Sequence, residues 1–127
     1  MPRREQLGDR IRRLRRQRQL GLRQTAARIG ISAAYLSRIE TDRGQSPPAE
    51  RVIRTLASVL ADDFDQLMQL AGRVSTDVER YITADPGMAG FLRRARRFNL
   101  TADDLMRLLD RHQAHHANHA HHGRKAS

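Results

Sequence analysis

The residues with the most chemistry to offer stand towards the two ends of the chain. Near the C-terminus, His112, His115, His116, His119, His121 and His122 lie among Ala, Gln and Asn. On a continued helix 112, 115, 116 and 119 share one face, and i, i+4 His pairs chelate Zn2+ or Ni2+. With no cysteine and no flanking carboxylate cluster to complete a ligand set, the segment reads first as a solvated, disordered tail, and no metal ligand is assigned. Protonation of these imidazoles near pH 6 would add positive charge. At the other end, residues 1–44 hold twelve arginines against Glu5, Asp9, Glu40 and Asp42, a balance of +8. Residues 45–74 balance at −1 and 75–127 at +3, which makes the whole chain +10. A polyanion is the expected partner, and the first third is the part expected to meet it.

Other chemistries find no foothold. The chain has no thiol nucleophile, no Gly-rich phosphate loop after a strand and no His-Glu-x-x-His pair, and its carboxylates fall where helices need caps. No enzyme activity, catalytic residue or cofactor is therefore expected. The absence of Cys excludes a disulfide frame and a thiolate zinc site. Met1-Pro2-Arg3-Arg4-Glu5 leads into an Arg-rich stretch rather than an apolar one, and no segment approaches membrane-spanning length. A soluble cytoplasmic, nucleoid-associated protein with no membrane partner is the expectation.

The elements that must hold these groups follow from periodicity. Apolar residues make up 39% and aromatics 4%, without Trp, so a core of Leu, Ile, Val, Ala and Met favours packed helices and an all-α fold. Leu7, Ile11 and Leu14 define an amphipathic first helix ending near Gly21. A second spans Leu22 to Ile29 and stops at Gly30, a residue free to take the left-handed exit. Ser32 is placed to cap a third, with Leu36 and Ile39 on its buried stripe through Glu40. The stretch from Thr41 to Pro48 is a loop, with Pro47 or Pro48 at the mouth of a fourth helix carrying Val52, Ile53, Leu56, Val59 and Leu60. Asp62 or Asp63 caps a fifth with Phe64, Leu67, Met68 and Leu70.

Three short helices follow. Thr76 and Glu79 have capping-box spacing, Asp85-Pro86 reads as an N-cap with proline at the first helical position, and Thr101 with Asp104 opens the last helix through Leu109. Their apolar faces are too small to be buried alone, and must pack on the first domain or on a second copy. The organisation read from this pass is a five-helix domain over 1–73, C-terminal helices over 74–111 for dimerisation or effector and partner contact, and the His-rich tail over 112–127.

The stretch Gln24-Thr25-Ala26-Ala27-Arg28-Ile29-Gly30-Ile31-Ser32-Ala33-Ala34-Tyr35-Leu36-Ser37-Arg38-Ile39-Glu40, with the distal Leu56-Ala57-Ser58-Val59-Leu60, resembles the Cro/CI-type (XRE family) helix-turn-helix over about residues 6–71. The resemblance implies a five-helix DNA-binding domain whose second helix crosses the DNA backbone and whose third enters the major groove. Three departures stand out: Leu22, with Arg23 beside it, occupies the place of a phosphate-gripping Gln; Thr25 replaces a core Leu; and the loop after Glu40 is a residue longer than common.

With Leu36 and Ile39 inward, helical spacing turns Ala33, Ala34, Ser37 and Arg38 outward. Alanines offer only methyl contact with thymine, so Arg38, able to bond bidentately to guanine, and Ser37 would carry most direct readout, with more reliance on DNA shape. Arg23, Arg43, Gln45 and the hydroxyls of Ser32 and Tyr35 are the candidate phosphate contacts, although Tyr35 equally suits packing on the first helix. The Arg cluster at 10–18 reads as a solvated face ahead of a DNA surface. The function expected is a sequence-specific double-stranded DNA-binding transcriptional regulator, a repressor acting as a homodimer on a palindromic site. The alternatives are a weakly specific architectural protein, or an antitoxin-like subunit whose C-terminal helices hold a protein partner.

Overall fold

The computed structural model describes residues 4–41 and 46–126, with side chains as far as Ala117. The regular elements among these residues are eight α-helices, the all-α class expected: α1 (Leu7–Gln17), α2 (Leu22–Ile29), α3 (Ala33–Thr41), α4 (Glu50–Leu60), α5 (Phe64–Leu70), α6 (Thr76–Ala84), α7 (Met88–Arg97) and α8 (Ala102–Ala126). They divide into two compact units that meet within α6, at Glu79 and Arg80.

In the first unit the apolar stripes converge on one core. Ile11 of α1, Leu36 of α3, Ile53, Leu56 and Leu60 of α4 and Leu67 of α5 are all sealed from solvent. Each such side chain contributes roughly 1.5–3 kcal/mol by leaving water. α1 packs on α3 and α4, α2 packs on the same two helices, and α4 carries α5. Thr25, the polar residue at a core position, is also fully buried, and its hydroxyl donates to the Gly21 carbonyl at 2.8 Å, so no polar atom is left unsatisfied.

Several local stops behave as their chemistry dictates. Gly30 takes φ +84° at the end of α2, and Asp63 caps α5 by accepting the Gln66 N–H at 2.9 Å. Thr101 and Asp104 form a reciprocal box at the start of α8, each side chain accepting from the other's backbone N–H, at 3.2 and 2.8 Å. The N-cap of α4 is Ala49, with Pro48 buried just before it at the mouth of the helix, as expected. Two other starts differ from expectation. Thr76 is the first residue inside α6 rather than its cap, and Glu50 reaches across from the first turn of α4 to take the Thr76 N–H at 2.8 Å and its hydroxyl at 3.1 Å. α7 begins two residues later than Asp85-Pro86 suggests: Asp85 folds a turn, accepting the Gly87 N–H at 2.9 Å on its side chain and the Met88 N–H at 3.0 Å on its carbonyl.

The second unit, taken by itself, is built differently. Asn99 adopts φ +55° between α7 and α8, a left-handed stop that Asn tolerates better than most side chains. Ala95 is buried, yet Tyr81, Phe91, Leu92, Phe98, Met106, Leu108 and Leu109 are all exposed. α8 continues past Leu109 to Ala126, carrying helical backbone into the segment that the sequence alone assigns to a tail.

Candidate nucleic-acid interface

The candidate interface is built on the turn between α2 and α3. The N–H groups of Gly30 and Ile31 both return to the Ala26 carbonyl, at 2.9 and 3.0 Å, so the chain reverses within three residues. Ser32 then starts α3: its Oγ accepts the Tyr35 N–H at 3.0 Å and its carbonyl accepts the Leu36 N–H at 3.0 Å. A hydroxyl has one proton and two lone pairs, so capping leaves the Ser32 proton available to an outside acceptor.

α3 presents two faces. Leu36, Ile39 and Glu40 are buried, whereas Ser32, Ala34 and Arg38 are exposed and Ser37 is half-exposed. Ala33 departs from the outward placement expected of it. It lies three residues before Leu36, on the same side of the cylinder, and packs partly against the core. Tyr35 is also half-buried and packs partly against the core, an arrangement compatible with a phosphate contact from its hydroxyl. Arg23 is exposed in the first turn of α2, whose N-cap Gly21 offers no side chain to the backbone N–H groups there. Arg43 and Gln45 lie outside the described residues.

What fixes α3 from behind is a group of charges that sequence reasoning treated as surface. The Glu40 carboxylate is 3% exposed and accepts two bonds from Arg15, Nε at 2.8 Å and Nη2 at 3.0 Å. Arg12 adds a longer contact at 3.4 Å, and Arg15 also donates to the Leu20 carbonyl. This clamp joins the last turn of α3 to the last turn of α1, with the bidentate geometry that gives Arg–carboxylate pairs their direction. Beside it, Gly8 lets the helices close: a Cβ there would strike the Glu40 carbonyl oxygen and stand 2.7 Å from that of Ile39. On the opposite side of α1, Arg10 makes a second bidentate pair with Asp62 at 2.7 and 2.7 Å, and its bond holds the Asp62 carboxyl below the usual carboxylate range. Arg13 pairs with Glu5 at 2.7 Å. Four arginines of the 10–18 cluster are thus bonded to acids of the same unit.

The helix-turn-helix domain family matches residues 6–70, about half of the chain and the span that holds α1 to α5. The chain belongs to this family. Among curated relatives, it is 40% identical over 81 residues to the HTH-type transcriptional regulator RghRB of Bacillus subtilis (strain 168), an overlap of 63% of this chain and 57% of that protein. It is 41% identical over 71 residues to the HTH-type transcriptional repressor RghR of the same organism, an overlap of 55% and 51% respectively. The chain thus spans little more than half the length of either. A solved SinR protein/SinI protein complex covers 87% of this chain and 98% of its own matched chain at 21% identity, with a TM-score of 0.46.

In this helix-turn-helix unit the sequence signal for the Glu40 clamp was present but ambiguous. An acid closing the last turn of α3 and arginines three residues apart on α1 fit a solvated face as readily as a buried pair. Only the approach of α1 to α3, permitted at Gly8, decides between them.

Proposed function

We propose that this chain is a DNA-binding transcriptional regulator, and that it binds duplex DNA by inserting the leading end of α3 into the major groove. The observation that carries this reading is the division of α3: a short helix capped at Ser32, locked from behind through Leu36, Ile39 and the Arg15–Glu40 pair, with Ala34 and Arg38 left to solvent. Arg38 and Ser37 read base edges, Ala34 makes methyl contact, and Arg23, Ser32, Tyr35, Arg43 and Gln45 meet phosphates. With Ala34 unable to hydrogen-bond and Ala33 turned towards the core, part of the specificity shifts to DNA shape. The name of RghR supports a repressing role.

The regulator acts as a homodimer on a two-fold symmetric site, with residues 1–73 binding DNA and 74–111 supplying the second-copy contact. Support comes from the exposed Phe91, Phe98, Leu108 and Leu109 of the second unit, and from the limited affinity of one small module. The same apolar residues also suit a different protein partner, the reading in which the chain is a partner-binding subunit.

Footprinting on genomic fragments at physiological salt tests the proposal. One protected palindrome is expected, with Arg38→Ala weakening it by about 1–3 kcal/mol and relaxing selectivity at the bases it reads. Uniform coating of DNA would favour an architectural protein. Wild-type affinity and selectivity in Arg38→Ala would overturn the assignment of α3 as the reading helix.

A further inference from the structure

We propose that His112 and His116 form a binding site for a divalent first-row transition ion, taken through imidazole nitrogen on one exposed face of α8. The spacing alone permits this only if the backbone between the two residues is helical. α8 runs from Ala102 to Ala126, and the two rings stand with centroids 5.7 Å apart and planes inclined by 24°. An ion bound tetrahedrally at the usual Zn–N distance of about 2 Å holds two imidazole centres about 5 Å apart. The rings therefore already stand near the separation a shared ion needs; from their stacked arrangement each turns about its side-chain torsions to bring a nitrogen onto the ion, and both are exposed enough for it to reach them.

The ligand chemistry narrows the ion. Imidazole suits Zn2+, Ni2+ and Cu2+, whereas Mg2+ and Ca2+ require oxygen ligands that this face does not present. Among the described residues no third His, Cys, Asp or Glu completes a set with the pair. Two nitrogens thus leave further coordination positions open, to be filled by water or by the same pair of a second chain. Leu105, Leu108 and Leu109 lie three to seven residues before His112, so the pair continues the apolar stripe of α8 towards its C-terminal end.

Calorimetric titration of the full chain with ZnCl2 and, separately, NiCl2 tests the site. A binding event is expected whose affinity falls about tenfold or more in His112→Ala and again in His116→Ala, since a two-ligand chelate loses its advantage with either ligand. Ala114→Pro retains every imidazole but breaks the turn between the ligands, and is expected to lose the same event. His121→Ala with His122→Ala leaves it in place. Circular dichroism of each variant checks that α1–α5 remain folded. The proposal is overturned if neither ion binds, if both alanine variants keep wild-type affinity, or if Ala114→Pro keeps it, because binding would then need no helix.

Discussion

The two units use the same materials and end in different states. α1 and α7 are both Arg-rich amphipathic helices of ten or eleven residues, each with apolar residues at helical spacing. Leu7, Ile11 and Leu14 of α1 are buried, while Phe91 and Leu92 of α7 remain exposed and only Ala95 is covered. The arginines diverge as well: those of α1 reach Glu5, Glu40 and Asp62, whereas no ion pair joins Arg93, Arg94, Arg96 or Arg97 to an acid among the described residues. An apolar stripe therefore specifies that a helix needs an interface without naming what supplies it. The first unit supplies its own.

The sharpest way to break that contrast is to unclamp α1 from α3. Glu40→Ala removes the acid that Arg15 and Arg12 share, stranding Arg15, whose side chain is 13% exposed, without its partner. Losing one member of a buried pair costs 3–5 kcal/mol, and the expected loss here is about 3 kcal/mol because Arg12 is already partly in water. Urea unfolding followed by circular dichroism checks it. A change below about 0.5 kcal/mol would mean that the first unit is held by its apolar core alone, and that its charges resemble those of α7 after all.

A smaller effect comes from the other pair on α1, and it carries a pH signature. Asp62 titrates below its ordinary range because Arg10 donates two bonds to it. A carboxylate depressed in the folded state contributes stability that is complete above its unfolded pKa, about 4, and is lost as pH falls through the lower folded value. Asp62→Asn is expected to cost about 1.5 kcal/mol at neutral pH. The gap between wild type and variant should hold down to about pH 4 and narrow below it. Denaturation midpoints measured across pH 2–7 report this directly, and a gap that widens in acid would contradict the assigned direction.

How much of this was legible beforehand follows the same division. Periodicity located the eight helices, and the local stops at Gly30, Ser32, Asp63 and Asn99 were readable because each depends on one side chain and its immediate backbone. The Thr76 start was not, since its partner Glu50 lies 26 residues away on another helix. The same reason hid the roles of Arg10, Arg12 and Arg15: long-range pairs form only after the core has set the distances between helices. Ala33 was misplaced for a subtler reason. Outward and inward are not the only positions on a short helix, and a small residue beside Leu36 sits on the border between them.

The smallest effect on folding is expected where the apolar surface is most exposed. Phe91→Ser combined with Leu109→Ser removes two large side chains that are 51% and 49% exposed. Surface substitutions away from packed features change stability by no more than about 0.5 kcal/mol, so the unfolding transition of α1–α5 should stay where it is. Self-association should not, because these residues belong to the patch assigned to the second copy. Light scattering coupled to size exclusion separates the two readouts, with the wild type eluting as a dimer and the double variant as a monomer. If instead the variant remains dimeric while the first unit loses more than about 1 kcal/mol, Phe91 and Leu109 serve the fold of α1–α5 and the contrast between the two units disappears. If neither readout moves, the second copy is held elsewhere, and the apolar face of α7 and α8 falls to a partner other than this chain.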